Sequence, residues 1–191
     1  MANRIGNLKL FLIMVLGLLS ACPSFDDDRQ IRQERRAGDE AHVRGDNAVA
    51  ERHYKRALEL SKELGSDNAN FVYSAGDLAK IYAADGRDAE AEELYLERLS
   101  IAERIWAHEP GSLGFVHDDL AMFYLFRDRY DQAHPLYLES LALKAKAFGE
   151  NSSQLAQGLE LYSALLKAKQ HEQEGLEMEA RAKAIRAKGI Q

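Results

Sequence analysis

Residues 78–95 read Leu78-Ala79-Lys80-Ile81-Tyr82-Ala83-Ala84-Asp85-Gly86-Arg87-Asp88-Ala89-Glu90-Ala91-Glu92-Glu93-Leu94-Tyr95, and this stretch decides the fold. Leu78, Ala79, Ile81 and Tyr82 fall on one side of a helix of 3.6 residues per turn, expected over residues 72–84. Asp85-Gly86-Arg87 breaks that helix. Asp88 is placed to cap a second one, which carries Ala91, Leu94, Tyr95, Leu99 and Ile101. Ala79 and Ala91 let two helix backbones come close, and Tyr82 and Tyr95 fill the space beside them. Pro135 falls near the fourth residue of the corresponding helix further on, where a missing amide donor costs little.

The same hairpin returns with a period of 42 residues. Leu78-Ala79 recurs as Leu120-Ala121, Tyr82 as Tyr124, and Ala91-x3-Tyr95 as Ala133-x3-Tyr137. Leu64, Trp106 and Phe148 keep the spacing, as do Phe71, Leu113 and Leu155. One unit earlier, at a spacing of 41, Gly45, Ala50 and Tyr54 match Gly86, Ala91 and Tyr95. One unit later the match thins: Ser163, Gly175 and Glu179 stand at small and aromatic positions, as befits a terminal unit facing water. The expectation is four units at about 30–70, 71–112, 113–154 and 155–188, each buried only by its neighbours.

Leu78-Ala79-x2-Tyr82-x3-Gly86 followed by Glu90-Ala91-Glu92-x-Leu94-Tyr95 resembles the tetratricopeptide repeat. Leu120-Ala121-x2-Phe123-Tyr124 with Ala133-His134-Pro135-Leu136-Tyr137 resembles it nearly as well. The 42-residue length is similar to the long, kinesin-light-chain-like variety. The resemblance implies an all-α, right-handed superhelical solenoid of helix-turn-helix repeats over residues 29–191. It also implies a concave groove, lined by the first helices, for a protein or peptide partner. By helical spacing Tyr73, Gly76, Asp77 and Lys80 in the second unit should face that groove. Phe115, Asp118, Asp119, Met122, Leu125 and Phe126 should do so in the third. Asp77, Asp118 and Asp119 stand where the long-repeat family carries asparagines. Aspartates only accept hydrogen bonds, so the groove is expected to favour amide or cationic donors.

The N-terminus carries a second pattern. Arg4 and Lys9 precede a ten-residue apolar run, Leu10 to Leu19. As a helix this run rises only about 15 Å, too short for a span and right for an export signal. Leu19-Ser20-Ala21-Cys22 resembles the lipobox of bacterial lipoproteins. The resemblance implies cleavage between Ala21 and Cys22, removal of residues 1–21, acyl chains (palmitate among them) on Cys22, and a tether over residues 22–28. In that family aspartate just after the cysteine is the inner-membrane retention signal, so with proline at position 23 the resemblance implies the outer membrane, periplasmic face. Without the signal the chain keeps 23 basic against 31 acidic residues, a net −8 instead of −6. Arg32, Arg35 and Arg36 share a helix face near this end. They stand to meet anionic lipid, to form the groove's basic end, or simply to pair with Asp26, Asp27, Asp28, Asp39 and Glu40.

Composition excludes other classes. One cysteine makes neither an internal disulfide nor a cysteine-based zinc site. A pI near 5.6 argues against a protein held by nucleic-acid phosphates. The six histidines show no tight ligand spacing, so neither a metal nor another cofactor is expected. No GxSxG or P-loop is present. His117-Asp118-Asp119 diverge by about 100° each on a helix and do not converge unaided. The reading is therefore a non-enzymatic, membrane-anchored interaction scaffold with no nucleic-acid partner. The alternatives are a pilotin or assembly-type lipoprotein escorting an outer-membrane or secretion-system subunit, and, from another class, an envelope hydrolase or small-ligand receptor.

Overall fold

A computed structural model describes residues 25–65 and 67–188, so the expected signal at 1–21, the Ala21/Cys22 boundary and Cys22 itself lie outside the described residues. All regular structure among the described residues is α-helical, in eight helices and no strands. The chain divides between residues 66 and 67 into two compact units.

The first unit is one helical hairpin, α1 (Phe25–Val43) and α2 (Asn47–Glu63). Ile31 of α1 packs with Ala57 and Leu60 of α2, and Leu64 leans on the same cluster. Gly38 is what lets Tyr54 lie across α1. A Cβ at residue 38 would stand 2.5 Å from the Tyr54 ring, and the Tyr54 hydroxyl donates to Asp39 at 2.7 Å. Asp46 caps α2 by accepting from the Val49 amide at 3.1 Å. The helix α1 begins at Phe25, so residues 25–28 of the expected tether form its first turn.

The second unit stacks three hairpins: α3 (Ala69–Ala84) with α4 (Asp88–Ile105), α5 (Pro110–Leu125) with α6 (Tyr130–Phe148), and α7 (Ser153–Ala168) with α8 (Glu172–Lys188). Successive hairpins also pack on one another, α4 on α5 and α6 on α7. Ala79, Ala91, Tyr82 and Tyr95 are all buried, as their packing roles require. Asn68 and Ser152 cap α3 and α7, accepting from the amides three residues on, and Pro110 occupies the first turn of α5. Asp88 does not cap α4. It is that helix's first residue, and its carboxylate is taken by Arg127 instead. Pro135 lies deeper inside α6 than the pattern implies, because α6 already starts at Tyr130. The ring's side of the helix is exposed, so the lost hydrogen bond opens towards solvent.

The turn inside each hairpin needs one left-handed residue. Gly45 and Gly86 supply it in the first two hairpins, with φ of 80° and 74°; Asp128 and Gln170 supply it in the last two, with φ of 56° and 65°. The final hairpin closes on small residues: the Ser163 hydroxyl donates to the Gly175 carbonyl at 2.7 Å. Glu179, at the position held by Tyr95 and Tyr137, pairs instead with Lys167 and Lys183.

Candidate functional site

A cleft of about 270 Å³ opens between the first helices of the second and third repeats. Lys80, Ala83 and Ala84 of α3 form one wall, and Asp119, Met122 and Phe123 of α5 with Phe126 just after its end the other. Tyr95 of α4 lies behind, and Arg127 closes the turn end. Four residues expected on the groove, Lys80, Asp119, Met122 and Phe126, are thus brought to one place. Phe126 is 72% exposed at the rim. Burial, with Asp119 nearby, pushes the Tyr95 hydroxyl pKa upwards.

The polarity of this site differs from expectation. The Asp119 carboxylate accepts from Arg98 of α4 at 2.6 Å, and the Lys80 ammonium lies 3.3 Å from the same oxygen. Asp119 is therefore an internally neutralised group, not an open acceptor. Asp118 is a clearer correction: it is buried, 6% exposed, and turned into its own repeat. There Lys144 and Ser140 of α6 both donate to its carboxylate. The physical reason is pairing across the hairpin: a buried cation at residue 144 must have a counter-ion, and residue 118 is the one opposite. The same two positions hold an exposed ion pair one repeat later, where Arg186 donates to Glu160 at 2.8 Å.

The remaining expected groove residues lie elsewhere. Tyr73 packs at a tilt against Trp106, 5.6 Å between ring centroids, and Phe115 likewise against Phe148 at 6.1 Å. The second pair repeats the first 42 residues on, and each ties the start of one first helix to the end of its second. Asp77 is half-buried on α3, outside the cleft lining. His117 is buried, and its Nδ1 lies 3.0 Å from the Leu113 carbonyl, which only accepts, so that nitrogen carries the proton. His117, Asp118 and Asp119 thus go three separate ways and assemble no acid–base site. Arg36 of the basic cluster pairs with Glu40 at 3.2 Å, while Arg32 is exposed. Among the described residues no group of three His, Cys, Asp or Glu side chains converges as a metal site.

Contacts between repeats escaped the sequence reading. Arg127 donates to Asp88 at 2.6 Å and also to the Ala83 carbonyl. Arg129 grips Glu92 through two 2.6 Å bonds, and the Tyr124 hydroxyl donates to the same carboxylate at 2.9 Å. Arg129 and Tyr124 hold Glu92 below its usual range, while burial and Glu92 push the Tyr124 hydroxyl up to about 12. One repeat on, Lys169 stands in the place of Arg127 and reaches Asp131 at 2.7 Å, one residue beyond the position equivalent to Asp88. His134 and His171 stand at the positions of Glu92 and Arg129. The available signal was an Arg-x-Arg after the turn, 39 and 37 residues beyond its two acids.

The comparisons agree with this geometry. Two family models, each described as tetratricopeptide repeat, match residues 33–104 and 118–154, together more than half of the chain. No curated protein matches it. Among solved structures it is similar to BtubC (BKLC) from P. vanneervenii, with a TM-score of 0.78 at 22% identity, covering 88% of this chain and 67% of that one. It is also similar to a putative kinesin light chain of nearly identical TPR-like repeats from Podosopora anserina. A single-substitution form of that protein gives a TM-score of 0.74 at 19% identity, covering 98% of this chain and 89% of that one. At such identities the likeness is one of fold. Repeat pattern, stacked hairpins and structural neighbours converge: the chain is a tetratricopeptide-repeat protein.

Proposed function

We propose that this protein is a membrane-anchored scaffold that holds a protein or peptide partner in the cleft between α3 and α5. The observation that carries the binding reading is the concentration of Met122, Phe126, Ala83 and Ala84 around one open cleft, with Lys80 at its mouth. Filling such a cleft with one leucine or phenylalanine side chain is worth about 1.5–3 kcal/mol, enough to matter in a weak interface. Asp118 and Asp119 contribute structure here, so selectivity comes from the apolar wall and Lys80. The interaction is non-covalent.

The anchoring half rests on Arg4, Lys9, the apolar run at 10–19 and Leu19-Ser20-Ala21-Cys22. Acylation of Cys22 with more than one chain gives durable attachment where a single chain is marginal. Pro23 directs the protein to the outer membrane, facing the periplasm. The two halves are tested separately. Cys22→Ser should leave the protein out of the membrane fraction; normal partitioning of that variant would defeat the anchor. Phe126→Asp should abolish partner recovery while leaving the helical circular-dichroism signal and melting unchanged. Undiminished recovery would show that partners do not use the cleft.

A further inference from the structure

Positions 76, 118 and 160 are equivalent in the three repeats of the second unit, and so are positions 98, 140 and 182. The first set reads Gly, Asp, Glu and the second Arg, Ser, Ala. Where the second helix carries its longest side chain, the first helix carries none. The geometry shows why. A Cβ at residue 76 would stand 2.8 Å from the Arg98 guanidinium carbon and Nε. Arg98, 6% exposed, therefore passes from α4 over the bare backbone of α3 at Gly76 to reach Asp119 on α5. Its Nε is buried without a hydrogen-bond partner, a cost tolerated in reaching that carboxylate.

We infer that Arg98 is the positioning residue that sets the charge preference of the cleft. By occupying Asp119 from behind, it turns the one carboxylate of the lining into a neutral wall. Lys80 then remains as the exposed charge at the mouth, its side chain 50% exposed. Arg127, the other cation of the lining, is held by Asp88. The partner segment that enters accordingly brings an apolar group flanked by a neutral or anionic one, and a lysine or arginine at that spot is disfavoured. This inference rests on the cleft being the binding site.

The test uses two probes of equal length and opposite charge, hexanoate and hexylammonium. They are titrated against the full chain carrying Cys22→Ser, with the Met122 methyl resonance as readout. Arg98→Met should shift the ratio of the two affinities roughly tenfold towards hexylammonium, since both probes respond to the lost charge with opposite sign. Asp119→Asn should shift it roughly tenfold towards hexanoate by the same reasoning, and serves if Arg98→Met does not fold. Arg98→Lys should keep the wild-type ratio. A purely structural role would weaken both probes together and leave the ratio alone. A ratio that stays within about twofold of wild type in the Met and Asn variants overturns the inference while the cleft survives. If neither probe moves Met122 in the wild type, the cleft reading falls and the inference with it.

Discussion

Lys144 has no exposed surface, and its ammonium donates to the carboxylate of Asp118 on the neighbouring helix of the same hairpin. Ser140 donates to the other carboxylate oxygen, and the ammonium lies 4.9 Å from the centre of the Phe115 ring. Gly158 of α7 leaves room for the lysine's tip, where a Cβ would stand 3.3 Å from Nζ. A charge so placed depends on its partner. Lys144→Met or Asp118→Asn alone should destabilise the protein by about 3–5 kcal/mol, because each leaves a buried group unmatched. The double variant Asp118→Asn with Lys144→Met should cost much less than the two losses added. Urea unfolding of the four proteins measures this coupling, and additive losses would show that the pair does not act as a unit.

Gln170 is a bulky residue in a left-handed turn that glycine fills in the first two repeats. Gln170→Gly should stabilise the protein by about 0.5–1 kcal/mol, the relieved backbone strain less the added chain entropy. Asp128→Gly should gain less, since Asp128 also accepts from the Tyr130 hydroxyl at 2.6 Å. Thermal melting of both variants checks the order.

Glu179 stands between Lys167 and Lys183, and hydrogen bonds from both lower its pKa from 4.5 to about 2. A carboxylate depressed in the folded state stabilises fully above its unfolded pKa. That contribution fades as pH falls below about 4.5 and through about 2. Lys167→Met should raise the Glu179 midpoint towards the ordinary value, read by carboxyl carbon NMR. An unchanged midpoint would mean that Lys183 alone holds it.

Much of the fold was legible because packing repeats. Ala79, Ala91, Tyr82 and Tyr95 announce how two helices meet, and each position recurs 42 residues on in the same or a similar form. Helical spacing also put Lys80, Asp119, Met122 and Phe126 on one side, and one cleft is lined by all four. It failed at Asp118, because the angle around a helix does not say which neighbouring helix will supply a counter-ion. Lys144 is 26 residues away and ordinary in sequence; only its recurrence as Arg186 opposite Glu160 hints at the pairing. Arg98 was invisible for a similar reason. Its meaning lies in the missing side chain at Gly76, and an absence on one helix shows only when the other is laid against it.

Partner entry between α3 and α5 is the central claim, and a crosslinker in place of Phe126 addresses it most directly. A photoactivatable phenylalanine at position 126 should give a discrete crosslinked product in cells, and one in place of Leu138, also apolar and exposed but on α6, should not. Adding Met122→Asp should erase the product from position 126 without lowering the amount of folded protein. Crosslinking from position 138 with none from position 126, or equal yields from both, would contradict the proposal that partners enter between α3 and α5.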